Sequence, residues 1–180
     1  MSGAAGGQGD IAMSEVVTLE LPDAERTRAL GAALAEELRA GDLVILTGDL
    51  GAGKTTLTQG IGAALDVRGQ VASPTFIVAR EHPPLPRADG THGPGLVHVD
   101  AYRLGGDLEV DDLDLDASLE ESVTVVEWGE GLVEGLSEER LEIHIDREAG
   151  DEARTVTLRG VGPRWAGVKV DDTPSETAQE

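Results

Sequence analysis

The 180-residue chain contains no cysteine. Disulfide scaffolds, thiolate nucleophiles and Cys-based metal sites are thereby excluded. Asparagine is absent as well, so the Asn-Lys-x-Asp signature that reads a guanine base cannot occur. Aromatic residues number only four (Phe76, Tyr102, Trp128 and Trp165), and lysines only two, Lys54 and Lys169. Basic residues total 14 against 35 acidic ones, a formal charge of −21. A chain this acidic repels nucleic-acid phosphates and suits a basic protein partner better. No apolar run approaches the roughly 20 residues that cross a bilayer. No basic segment followed by an apolar one marks a secretory signal at the N-terminus. These gaps together point to a cytoplasmic protein, and the length suits one domain with a core of its own.

What is present is concentrated at Gly48-Asp49-Leu50-Gly51-Ala52-Gly53-Lys54-Thr55. The run fits the phosphate-binding loop G-x-x-x-x-G-K-[ST], which this composition would produce by chance roughly 0.004 times. Its context fits too. Asp42–Thr47 is an apolar run that reads as a strand, and Thr55–Leu65 reads as a helix leaving the loop. Glycines there let backbone N–H groups turn inward, and the helix N-terminus adds partial positive charge. Lys54, expected on a surface loop, would reach the β- and γ-phosphates, and the Thr55 hydroxyl would face Mg²⁺.

The remaining chain reads as one domain over 15–170, between a Gly/Ala-rich tail at 1–14 and a polar tail at 171–180. Glu15–Leu21 alternates as a strand. Asp23 is placed to cap a helix whose face carries Leu30, Leu34 and Leu38, with Gly41 as its stop. Thr75–Arg80 reads as a further strand, and Glu81–Gly95, rich in Pro and Gly, as an exposed loop or hairpin tip. Asp107–Glu121 reads as short helical turns. Leu141–Asp146 and Arg154–Arg159 alternate cleanly, as an antiparallel pair would.

Two acids end apolar runs: Asp100 after Leu96–Val99, and Glu127 after Val123–Val126. In a phosphate-loop protein, carboxylates at the ends of neighbouring parallel strands ligate Mg²⁺ or orient the attacking water. His82, His92, His98 and His144 lack the spacing of a metal site. Ser73 and Ser118 lack the setting of a nucleophile.

Five ordered motifs carry a wider likeness. They are Gly48–Thr56, Ser73-Pro74-Thr75-Phe76, His98-Val99-Asp100-Ala101-Tyr102-Arg103-Leu104, Val126-Glu127-Trp128-Gly129 and Leu141-Glu142-Ile143-His144-Ile145. Over roughly Leu21 to Arg159 the chain resembles the TsaE (YjeE) family, which supplies the ATPase of bacterial tRNA threonylcarbamoyladenosine biosynthesis. The resemblance implies a three-layer α/β P-loop domain with a mixed, mainly parallel sheet and a C-terminal antiparallel portion. It implies ATP and Mg²⁺ as cofactors, with Asp49, Leu50, Gly51, Ala52, Gly53, Lys54, Thr55 and Thr56 around the phosphates. Thr55, Glu127 and Asp100 become the metal-associated residues, and Lys54, Asp100 and Glu127 the catalytic set. Ser73, Pro74 and Thr75 match a switch-like segment. Backbone at Ala24 and Gly150 matches elements that approach the adenine. The implied partners are the transferase TsaD and its inactive relative TsaB, with tRNA met only through that complex and no membrane involved.

Two other readings stay open. A small-molecule kinase shares the loop, although the segment after Glu127 is acidic and offers only Arg140 and Arg147 as lid arginines. A non-catalytic ATP-sensing subunit shares everything but hydrolysis.

Overall fold

The elements follow from local patterning. In chain order they are β1 (Asp10–Ala12), β2 (Val17–Leu21), α1 (Ala24–Glu37), β3 (Leu43–Gly48), α2 (Lys54–Leu65) and β4 (Ala79–His82). Then come β5 (Gly95–Asp100), β6 (Ser122–Glu127), β7 (Arg140–Arg147), β8 (Arg154–Val161) and β9 (Lys169–Asp171). This computed structural model describes residues 10–12, 15–48, 53–69, 71, 79–100, 120–127, 139–147 and 153–171. The expected helical turns at 107–119 lie outside the described residues.

Seven strands form one sheet in the order β2-β8-β7-β3-β6-β5-β4. The four central strands β7, β3, β6 and β5 are mutually parallel, while β8 and β4 are antiparallel to their inner neighbours and β2 is antiparallel to β8. Val44 and Leu46 of β3 and Val123 and Val125 of β6 join Leu30, Leu34, Leu57 and Ile61 of the two helices in one core. Leu43, Ile45, Val97, Val99 and Val126 are buried as well. Alternation points these to the opposite face, so the central strands are covered on both sides, as a parallel sheet demands.

Helix α1 starts where Asp23 accepts a hydrogen bond from the Arg26 N–H at 2.9 Å, an N-cap. It ends at Glu37, before Gly41, and the Leu38 N–H closes on the Leu34 and Ala35 carbonyls. The two helices touch backbone to backbone. A Cβ on Gly31 would collide with the Leu57 carbonyl, and one on Gly60 with the Arg28 carbonyl. Only the missing side chains allow that approach.

Two readings from sequence shift. Of the strand expected at Thr75–Arg80, residues 75–78 lie outside the described residues; Ala79 and Arg80 open β4, which runs on through Glu81 and His82, expected as loop, where they pair with Val97 and Leu96 of β5. Pairing with an apolar neighbour recruits these polar residues, and the buried His82 ring bonds the Arg68 carbonyl through Nδ1 at 3.0 Å. The loop between β4 and β5 is largely exposed, as expected. At its tip Asp89 accepts from the Thr91 hydroxyl and N–H, which hold its carboxyl below the usual range. Lastly, the segment expected to be an N-terminal tail contributes β1, which pairs antiparallel with β9.

The chain after β8 is bound in tightly. A single 3-10 turn at Pro163–Trp165 drives Trp165 into the core at 1% exposure. Arg164 stacks 4.4 Å above the Trp165 ring and grips Asp42, at the foot of β3, with two bonds of 2.9 Å. Its guanidinium also donates to the Glu37 carbonyl at 2.6 Å, and its N–H donates to Glu139. A bidentate, partly buried pair of this kind is among the stronger polar contacts a fold can make.

Trp165→Ala is expected to destabilise the chain by about 3–5 kcal/mol, lowering Tm by roughly 10 °C in calorimetry. Unchanged melting would mean that the C-terminal segment is not part of the folding unit. Gly60→Ala is expected to destabilise by at least about 1–3 kcal/mol through overpacking. A neutral outcome in denaturant titration would show that the helices separate freely.

Candidate nucleotide-binding site

β3 lies at the centre of the sheet, between β7 and β6, and the glycine-rich loop leaves its C-terminal end. Ligands of open α/β sheets bind beyond that edge. Asp49, Leu50, Gly51 and Ala52 lie outside the described residues, as do Ser73, Pro74, Thr75, Phe76, Tyr102, Trp128 and Gly150. Gly53, Lys54, Thr55 and Thr56 are described and open α2. Gly53 has φ +110°, a left-handed conformation that suits glycine and aims the chain into the helix.

Lys54 corrects the expectation of a surface lysine: it is 6% exposed. A side chain at the first helical position leans back toward the helix N-terminus. Here that direction carries Nζ back to the end of β3, where it donates to the Gly48 carbonyl at 2.7 Å. The Lys54 carbonyl in turn accepts from the Thr58 hydroxyl at 2.9 Å. Both ends of the residue are therefore fixed to strand end and helix.

The two strand-end acids meet at this edge. Parallel register pairs Leu46 of β3 with Glu127 of β6, and Glu127 with Asp100 of β5. Glu127 is 5% exposed, and its Oε1 faces the Thr55 hydroxyl at 3.4 Å. That gap is longer than the ~2.7–2.8 Å of a good O–H···O bond. It is a weak, long contact between two oxygens of the types that Mg²⁺ takes as ligands. Among the described residues no group of three or more His, Asp or Glu could hold a metal alone. A hydroxyl plus carboxylate is the donor set of an ion shared with phosphate.

Two nearby residues escaped the sequence reading. His98 of β5 is fully buried, and its Nε2 lies 3.0 Å from Glu127 Oε1. Its strand parity with Asp100 was the available signal. Arg154 opens β8, and its Nε is 3.7 Å from where a Cβ on Gly53 would stand. The guanidinium thus flanks the last glycine of the loop, with Nη1 donating to the Ala153 carbonyl at 2.9 Å. Non-local pairing of Arg154 with Leu21 of β2 puts it there, which no local pattern announces.

A cavity of about 430 Å³ lies beside that pair, lined by Glu20, Leu21, Pro22, Ala153, Arg154 and Thr155. Ala24, the first residue of α1, follows it closely in the chain. A separate cavity of about 280 Å³ is lined by Ile45, Thr47, Glu142 and His144, among others, and includes neither Lys54, Thr55 nor Glu127.

Comparison with known proteins gives a consistent result. The family profile described as "Threonylcarbamoyl adenosine biosynthesis protein TsaE" matches residues 21–156. The tRNA threonylcarbamoyladenosine biosynthesis protein TsaE of Streptomyces coelicolor is 61% identical, over 79% of this chain and 96% of that one. The protein of the same name from Mycobacterium tuberculosis strain H37Rv is 51% identical, over 78% of this chain and 84% of that one. In three dimensions the crystal structure of Bacillus subtilis YdiB aligns with TM-score 0.64 and 34% identity, covering 85% of this chain and 90% of that chain. With its fold, its phosphate-loop helix and its sequence in agreement, this chain belongs to the TsaE family.

Proposed function

We propose that the chain is a Mg²⁺-dependent ATPase serving tRNA threonylcarbamoyladenosine formation, on the adenosine beside the anticodon of tRNAs that read ANN codons. It acts on the TsaB–TsaD pair, which it resets between turnovers, and reaches tRNA only through that pair. The relatives' shared name supports the pathway. The observation that carries the chemistry is the meeting of Lys54, Thr55 and Glu127 at the C-terminal edge of β3 and β6.

The roles follow from what each group can do. Lys54 exchanges the Gly48 carbonyl for phosphate oxygens and neutralises charge that grows as the γ-phosphoryl group departs. Thr55 and Glu127 are the residues that would hold Mg²⁺, and Asp100, whose strand position pairs with Glu127, would share the ion or orient water. When bound, the ion supplies charge neutralisation at the phosphates. Arg154 and the cavity past Leu21 form the seat for the rest of the nucleotide. An acidic surface of net charge −21 suits protein partners that present basic faces. No helix among the described residues is long and apolar enough to cross a membrane.

The deciding experiment is a pull-down with the TsaB–TsaD pair, with and without ATP, joined to phosphate-release assays. Nucleotide-dependent capture together with phosphate release requiring no added acceptor is the expected result. Phosphate transfer to a small molecule instead would favour a kinase.

Lys54→Ala is expected to abolish Mg-ATP binding in calorimetry. Because the lysine is buried and bonded within the loop, it should also lower stability by about 1 kcal/mol. Intact binding by this variant would defeat the assignment. Asp100→Asn and Glu127→Gln are expected to lower kcat about 100-fold or more while ATP affinity moves far less. Parallel losses in both would mark these acids as structural.

A further inference from the structure

His98 occupies a position where a central strand ordinarily carries an aliphatic residue. Its neighbours along the same face and across the sheet, Leu96 and Val125, both belong to the hydrophobic core. The imidazole has no exposure to solvent. A carboxylate only accepts hydrogen bonds, so the ring donates from Nε2 to Glu127 Oε1. The other ring nitrogen, Nδ1, is buried without any hydrogen-bond partner. Orphaned buried polar atoms destabilise a fold. A leucine here would fill the space without that penalty. What the imidazole gives in exchange is a rigid donor from the sheet to one oxygen of Glu127.

That oxygen is where the site converges. Glu127 Oε1 faces His98 Nε2 from β5 and the Thr55 hydroxyl from α2. Glutamate has three rotatable bonds, and its last torsion is broad. Without a second anchor the carboxylate can swing away from Thr55. We propose that His98 is a positioning residue: it holds the Glu127 carboxylate facing Thr55, so that the two can share a divalent cation. Groups that orient metal ligands in this way typically change metal affinity 10- to 100-fold when removed. The proposal rests on the functional reading above, and its test separates the two.

Three variants discriminate. The His98→Gln amide nitrogen reaches the place of Nε2 and can donate to Glu127. The His98→Asn amide reaches only the place of Nδ1, which faces no partner. His98→Leu fills the core and donates nothing. Mn²⁺ uptake is followed by electron paramagnetic resonance in the presence of a non-hydrolysable imido analogue of ATP. ADP affinity in a metal chelator and Tm are measured alongside. The expected result is Mn²⁺ affinity at least about 10-fold weaker in the Leu and Asn variants, with most of it recovered by Gln. Metal-free ADP affinity should hold throughout, and the Tm of the Leu variant should equal or exceed the parent's. Parent-like Mn²⁺ affinity in the Leu variant overturns this inference alone. A parent chain that takes up no Mn²⁺-nucleotide overturns the functional reading and this inference with it.

Discussion

Parallel strand pairing fixes where strand ends fall, and everything at this site depends on that constraint. Because β3, β6 and β5 run the same way in register, Gly48, Glu127 and Asp100 all arrive at one edge of the sheet. A glycine-rich loop leaving β3 therefore opens beside two acids from sequence-distant strands. The opposite edge receives the Asp42 end of β3 and the β4–β5 loop. Shifting any one strand by a single residue would turn its acid to the other face of the sheet.

The site also resolves a conflict of charge. The chain carries 35 acidic residues, and the ligand proposed for it is an anion. Among the described residues, two basic groups stand near Gly53: Lys54 is buried against the Gly48 carbonyl, and Arg154 flanks Gly53. Backbone amides at a helix N-terminus add attraction without any net charge. Short-range donors can thus dominate inside the pocket while the long-range field stays repulsive to polyanions and attractive to basic proteins.

Much of this was legible in the residues themselves. The apolar run and glycines announced β3 and α2, and clean alternation announced β7 and β8, because period and turn chemistry are local properties. Asp23 as a cap was equally local. The burial of Lys54 was not, since it depends on how a side chain leans at the start of a helix. Arg154 was hidden because non-local pairing of β8 with β2 brings it beside Gly53. His98 was passed over as a lone histidine, although its parity with Leu96 and Asp100 along β5 placed it on the site face. β1 was missed because three residues in a Gly/Ala-rich stretch carry too little pattern to outweigh tail composition.

The Arg164 clamp has a consequence for where this protein begins and ends as a physical object. The family profile's match closes at residue 156. The groups that neutralise Asp42 and plug the core, Arg164 and Trp165, come after it, and β9 returns to pair with β1, which precedes that match. The profile match is therefore shorter than the set of residues that pack together. Boundaries drawn from that profile alone would separate Arg164 and Trp165 from the Asp42 and core contacts they make.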